Sequence, residues 1–331
     1  MADEPGAPTD DDLTIGIDIG GSKVIGGLVD PAGRILDIRR AESPSRKGTA
    51  GEVEDTIAGV VTELLAIVPA GATVSAVGIG AAGFVDADRA AVLFAPHLAW
   101  RGEPLRDAIA GRIALPVVVE NDANAAAWAE WRFGAGAGED NLVAVTLGTG
   151  IGGGILLDGR LRRGQWGMAG EFGHMRVVPN GLRCPCGNRG CWEQYASGNA
   201  LVREARELAA SGSPLVADLL ERVGGDPRDV TGPDVTAAAR EGDHTARELL
   251  ADVGTWLGIG IANLAAALDP GVFVIGGGVS EAGELLLGPA RQAFAGQLTG
   301  RGHRPVARIV AAQLGARAGL VGAADLARHP T

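Results

Sequence analysis

A short frame occurs twice in this chain, and it constrains the fold more than any other feature. Leu13 to Ile19 reads as a strand, Gly20 to Ser22 as a turn and Val24 to Asp30 as a second strand. Asn141 to Leu147, Gly148 to Gly150 and Gly152 to Asp158 repeat the pattern 128 positions later, so that Gly20, Gly26 and Asp30 fall on Gly148, Gly154 and Asp158. Three matches inside one strand–turn–strand frame predict a duplicated unit, although 53 glycines in 331 residues make chance matches easier. Around the two hairpins, strands are expected at Val74–Gly80, Val117–Glu120, Val272–Ile275 and Ala307–Ala311. Helices are expected over Glu52–Ile67, Ala123–Phe133, much of Ala200–Leu268, from about Ser280, and over Ala316–Leu326. Alternation of this kind predicts an α/β protein of two lobes.

The net charge of −11 argues against nucleic acid or an anionic membrane as the main partner. A nucleotide stays compatible, because backbone N–H groups and one or two cations suffice to hold phosphates. The best apolar run, Trp256 to Leu268, is too short for a bilayer and carries Asn263. The opening MADEPGAPTDDD lacks the basic start and apolar centre of a signal peptide, so residues 1–12 read as a disordered tail and the protein as cytoplasmic.

Three loops are candidates for phosphate. In Asp18-Ile19-Gly20-Gly21-Ser22-Lys23, glycines let backbone N–H groups converge on anionic oxygens, while Ser22 and Lys23 add donors. Asp18 repels phosphate and reads instead as a magnesium contact through water. Gly148-Thr149-Gly150-Ile151-Gly152-Gly153 satisfies G-x-G-x-x-G in form, but a strand and a turn follow it where a dinucleotide site requires a helix. Gly276-Gly277-Gly278 follows a strand, either as close packing or as a nucleotide platform. For each loop a plain tight hairpin or turn is the competing explanation.

All three cysteines lie within eight positions, and with His174 they read H-x9-C-x-C-x4-C: His174, Cys184, Cys186 and Cys191. A Cys3His set fills the tetrahedron that zinc prefers and leaves no open position, so the ion would be structural; three buried thiols are the alternative. The same ligands bring Glu171 and Glu193 into one small region, and a zinc-bound histidine keeps one ring nitrogen for another partner. Glu120-Asn121-Asp122 sits where a strand ends and a helix begins. Asn121 or Asp122 is expected to cap that helix, but strand ends in open α/β sheets also gather ligands. There Asn121 suits sugar hydroxyls and Asp122 suits proton acceptance.

DIGGSK (18–23), GAAGFVD (80–86), ENDANAAA (120–127), LGTGIGGG (147–154), GEFGH (170–174) and CPCGNRGCWEQYASG (184–198) together resemble the ROK family of sugar kinases and sugar-responsive repressors. The run from Glu171 to Gly198 is most similar to the family's actinobacterial glucokinases. The resemblance implies an actin-like, ribonuclease-H-like two-lobed ATPase fold with duplicated strand–turn–strand phosphate loops. It implies a small lobe of residues 13–120 plus 313–329 and a large lobe of 121–312 carrying the zinc insert. It makes Asp122 the catalytic base, with Gly83, Asn121, Glu171, His174 and Glu193 as further sugar contacts. Gly20, Gly21, Ser22, Lys23, Thr149, Gly150, Gly276, Gly277 and Gly278 become ATP contacts, with Mg2+ accompanying ATP and Zn2+ structural. Glucose and ATP are the implied partners, at the entry to glycolysis, in a homodimer or homotetramer. Ala82 and His97 depart from the family's usual Pro and Asn, which leaves fine specificity open. Fructose, mannose, N-acetylmannosamine or allose as substrate, polyphosphate beside ATP, or a non-catalytic sugar sensor are the competing readings. A repressor requires an added DNA-binding domain that this sequence does not suggest.

Overall fold

A computed structural model of the protein describes residues 12–44, 48–95, 98 and 100–329. Residues 1–11 of the expected tail, and His97, lie outside the described residues; Asp12 already belongs to the first strand. The first hairpin is β1 (Asp12–Ile19) and β2 (Lys23–Val29), followed by β3 (Ile35–Glu42), α1 (Ala50–Leu65) and β4 (Thr73–Ala81). A three-stranded sheet of β5 (Phe84–Val85), β6 (Val92–Phe94) and β7 (Arg101–Glu103) then precedes α2 (Leu105–Ile113), β8 (Val117–Asn121) and α3 (Asp122–Phe133). The second hairpin is β9 (Leu142–Leu147) and β10 (Ile151–Leu157), with β11 (Arg160–Leu161) at its edge. After the cysteine segment come α4 (Glu193–Ala196), α5 (Gly198–Ala210), α6 (Ala217–Arg222), α7 (Gly232–Glu241) and α8 (His244–Leu268). The chain ends with β12 (Val272–Gly276), α9 (Glu284–Gln297), β13 (Arg308–Ala311) and α10 (Ala318–Arg328).

The duplication is visible in the sheets. The first runs β3-β2-β1-β4-β8 and the second β11-β10-β9-β12-β13, and in each the first three strands are antiparallel and the last two parallel additions. The register corrects one detail of the repeat. Ile19 pairs with Val24, but Leu147 pairs with Ile151, so the second turn is one residue shorter. Gly154, opposite Ala144, therefore corresponds to Gly27 opposite Gly16, and not to Gly26.

Each sheet has its own apolar core. Ile15, Ile17, Val24, Ile57, Val61 and Leu64 close the first against α1, while Val143, Val145, Phe273 and Ile275 pack the second against α8 and α9. The long α8 is apolar and, at 25 residues, long enough to cross a membrane, but it is the central core helix of the second half, lying against α9, α7 and α5. The apolar run Trp256–Leu268 is its C-terminal half. Two helices lie between the sheets. α3 follows β8 of the first sheet yet packs on β9 and β10 of the second; α10 follows β13 of the second yet packs on β1 and β4 of the first.

Glycine makes these approaches possible. A Cβ on Gly78 would fall 1.8 Å from the carbonyl oxygen of Ala323, and one on Gly16 would fall 2.0 Å from that of Leu320. In β10, Gly152 and Gly154 face Ala123 and Ala127 of α3 while Gly153 faces Phe172. The G-x-G-x-x-G match is thus a turn running into a strand whose glycines admit a helix on one side and a ring on the other, as the missing helix after it implied.

Candidate active site

The β8–α3 junction settles which residue caps. Asn121 is the N-cap: its Oδ1 accepts from the Asn124 N–H at 3.0 Å, and its Nδ2 donates to the Gly83 carbonyl at 3.1 Å. Such a cap stabilises a helix by about 1 kcal/mol. Asp122 is therefore the first helical residue, and its carboxylate accepts only the Ala123 N–H, at 2.9 Å, among described partners. Gly83 is glycine for a local reason too, since a Cβ there would lie 2.4 Å from the Phe94 carbonyl oxygen.

Burial pushes the Asp122 carboxyl up to about 7, reinforced by the negative charges of Asp18 and Glu171 and opposed by the Ala123 N–H. Three acids from separate elements thus share one field. Burial also raises Asp18, which Lys23 partly counters. Burial raises Glu171, with His174 lowering it and Glu193 raising it. Two glycines lie within ordinary contact of these acids: a Cβ at Gly319, in the first turn of α10, would sit 3.7 Å from the Asp18 carboxylate and 3.9 Å from the Asp122 carbonyl, and one at Gly80 3.8 Å from Asp122 Cα.

The first glycine turn is closed by Gly20 N–H to Lys23 C=O at 3.0 Å, leaving Gly21, Ser22 and Lys23 exposed. The second is closed by Gly148 N–H to Gly150 C=O at 3.0 Å, with Gly148 and Thr149 exposed. Two further glycines hold it from below. Gly198 N–H donates to Gly148 C=O at 2.8 Å, and Gly277, at φ +84°, lies so close to Leu147 that a Cβ would meet its backbone at 2.4 Å. Gly276–Gly278 thus packs against the base of the second loop. The segment after it is a short 3-10 turn (Gly278–Ala282), and α9 starts only at Glu284, later than the expected Ser280.

His174, Cys184, Cys186 and Cys191 offer ligand atoms that all lie within 4.8 Å of one another. Cys186 and Cys191 Sγ are 3.6 Å apart, and Cys184 Sγ is 3.8 Å from His174 Nδ1. A tetrahedron with zinc–sulfur bonds of ~2.3 Å has edges of about 3.7 Å, so the set fits such an ion. Nδ1 faces the thiols, which leaves Nε2 for another partner. The segment is shaped by local bonds, Cys184 N–H to Asn188 C=O and Gly187 N–H to Cys184 C=O, with Gly187 and Gly190 at positive φ. Trp192, fully buried beside Cys191, anchors it to α8 by lying on Gly260 and donating from Nε1 to the Trp256 carbonyl at 2.8 Å.

Glu193 joins this segment to the second glycine turn. Its Oε1 accepts from the Cys184 thiol at 3.1 Å and lies 3.7 Å from His174 Nδ1, and its Oε2 would be 2.6 Å from a Cβ on Gly150. Sequence reasoning missed Gly80, Gly198 and Gly319, which bear no chemistry of their own. It also missed Glu120 with Arg89 and Arg163. An acid directly after Val117–Val119 in a buried strand was the available signal, because a charge there needs a partner.

The ROK family model matches residues 14–329. A glucokinase from Streptomyces coelicolor is 49% identical over 319 residues, covering 96% of this chain and 98% of that protein. Among solved structures, a ROK family glucokinase from Streptomyces griseus in complex with glucose and AMPPNP is 53% identical, with a TM-score of 0.85 over 96% of this chain and 99% of that one. A ROK hexokinase from Thermus thermophilus is 33% identical, with a TM-score of 0.77 over 96% and 98%. The chain belongs to the ROK family, and its mixed two-sheet architecture is that of the family's sugar kinases.

Proposed function

We propose that this ROK-family protein is an ATP-dependent glucokinase that transfers the γ-phosphate of ATP to the 6-hydroxyl of glucose. The observation that carries the reading is Asp122: a carboxylate at the start of a helix, unclaimed by capping, pushed up to about 7 between Asp18 and Glu171. A group titrating near neutrality is suited to general-base work.

In this reading Asp122 accepts the proton of the sugar hydroxyl as that oxygen attacks phosphorus in line. The hydroxyl is a far weaker acid than a carboxylic acid, so the proton moves late and Asp122 chiefly orients the nucleophile. Asn121, the Gly83 backbone, Glu171, His174 Nε2 and Glu193 contact the sugar. Asn121 keeps one amide hydrogen and one lone pair for it after its cap and its bond to Gly83. The turns at Gly20–Lys23 and Thr149–Gly150 hold phosphates through exposed backbone N–H groups, and Gly276–Gly278 borders the nucleoside. Mg2+ arriving with ATP would neutralise the transferred group, with Asp18 contacting it through water. His174, Cys184, Cys186 and Cys191 would hold Zn2+, which cross-links the segment carrying Glu193 and fixes the imidazole. The first sheet with α1, α2, the small sheet and the C-terminal α10 corresponds to the smaller lobe, and the rest to the larger.

A coupled assay of ADP release over a panel of hexoses tests the reading. Glucose should give the highest kcat/KM, and Asp122→Ala should lower kcat by ~10²-fold or more while sugar still binds. Near-normal turnover in that variant removes Asp122 from the chemistry, and a different preferred hexose removes glucose.

A further inference from the structure

Behind the β8–α3 junction, one carboxylate gathers contacts from three separate parts of the chain. Glu120 is 2% exposed. Its Oε1 accepts the Asn121 N–H and the Asn124 Nδ2–H, each at 3.1 Å, and so ties together the residues on either side of Asp122. Its Oε2 accepts Arg163 Nε–H at 2.7 Å and lies 3.5 Å from Arg89 Nε. Arg163 comes two residues after β11, from the other sheet, and its side chain is largely buried. Arg89 comes from the turn between β5 and β6, at φ +55°, and its carbonyl accepts the Val119 N–H of β8. Burial pulls Arg89 down to about 10, with Glu120 opposing and Arg163 adding to the fall.

Arg163 also has a main-chain role. Its carbonyl accepts the Ala169 N–H at 2.9 Å, closing the loop Gly164–Met168 that leads to Gly170 and Glu171. Gly167, at the tip, presses against the Val85–Ala87 backbone. One residue therefore holds Glu120, at the end of β8, with its side chain and the approach to Glu171 with its backbone.

We infer that Arg163 is a positioning residue that, through Glu120, fixes the first turn of α3 and so holds Asp122 in register with Glu171 across the sugar cleft. The inference rests on the kinase reading. Among the described residues Asp122 has no side-chain hydrogen-bond partner, and its carboxylate accepts the adjacent N–H, so its position follows the backbone from Asn121 to Asn124. That backbone is held by Glu120, and Glu120 by the arginines. Misplacing a reacting group by about 1 Å can cost ~10²-fold in rate while leaving binding contacts in place.

The test compares the parent protein with Arg163→Met and Arg163→Lys in steady-state hexose phosphorylation, with Tm measured alongside. Arg163→Met should lower kcat by roughly 10- to 10²-fold with KM for glucose within about threefold. Arg163→Lys, which keeps the charge but places its donor nitrogen one bond beyond the Nε position, should recover part of that loss. Both variants folded with kcat within about twofold of the parent would overturn the inference, as would a rise in KM at constant kcat. If Arg163→Met fails to fold, the Lys variant decides by the same two criteria. An inactive parent brings down the kinase reading and this inference together, whereas an active parent with indifferent variants brings down only the positioning role.

Discussion

The raised carboxyl of Asp122 makes the pH behaviour of this protein calculable. With its folded-state value at about 7 against an ordinary 3.8, about half of the free protein carries ionised Asp122 at pH 7. If the ionised form is required, kcat/KM for the sugar should rise about tenfold from pH 6 to pH 8, following the ionised fraction. Asp18→Asn removes the largest electrostatic cause after burial, so the midpoint of that rise should move to lower pH, whatever happens to the absolute rate. Stability carries the opposite sign. A folded-state value above the unfolded one means that the native protein holds an extra proton between about pH 4 and pH 7. The contribution is complete below the unfolded value and is lost as pH rises through about 7, by at most roughly 4 kcal/mol. Asp122→Asn cannot titrate and escapes that loss. Urea unfolding of parent and Asp122→Asn at pH 5 and pH 8 should show the variant's relative stability growing by roughly 3 kcal/mol at the higher pH. The same stability difference at both pH values, with a flat kcat/KM between pH 6 and 8, would show that Asp122 titrates like an exposed carboxylate and refute the reasoning.

Cys186→Ser should lower zinc content by metal analysis, lower Tm, and raise KM for glucose at least ~10-fold, because the same segment carries Glu193; a zinc-free protein with unchanged KM contradicts this. Gly198→Ala would place a Cβ 2.7 Å from the Gly148 carbonyl and displace the second turn, so KM for ATP should rise several-fold with KM for glucose nearly unchanged; equal effects on both would argue against a phosphate role for that turn. Gly78→Ala drives a Cβ to 1.8 Å from the Ala323 carbonyl, where backbone must move. It should cost about 3 kcal/mol or more in denaturant unfolding, and a change below 1 kcal/mol would mean that α10 can shift freely.

The elements that sequence revealed were those with one strong local signal. Both hairpins, α1, α3 and β12 follow from apolar runs ending in glycine or an acid, and they lie within two residues of expectation. The cysteine cluster was legible because four ligand types stood so close in the chain that little tertiary folding was needed to collect them. What stayed hidden depends on distant partners. β3 (ILDIRRAE) is an edge strand whose alternating exposure masks it as a charged loop, and the two- and three-residue strands β5 to β7 are too short to have a period. The Arg163–Glu120 pair spans 43 positions and belongs to no motif. The matched Gly26 and Gly154 illustrate the converse error, in which identity at a fixed offset suggested an equivalence that a turn one residue shorter removes.

The glycine content itself has a different meaning from tight turns alone. Each sheet sends the helix that follows its last parallel strand onto the opposite sheet: α3 leaves β8 and lies on β10 over Gly152 and Gly154, and α10 leaves β13 and lies on β1 and β4 over Gly16 and Gly78. The two helices then meet where a Cβ on Gly322 would fall 1.7 Å from the Ala125 carbonyl. Asp18 and Asp122 leave neighbouring strand ends of the first sheet, where Asp18 lies opposite Gly80 and Gly80 opposite Glu120. The exchange adds the start of α10, whose Gly319 lies against both residues and helps to bury them. Close backbone approach at these glycines is therefore a condition for raising Asp122. A methyl group at Gly16, Gly78 or Gly322 should lower stability and shift the pH dependence of turnover together, even though none of the three touches substrate in the proposed reaction.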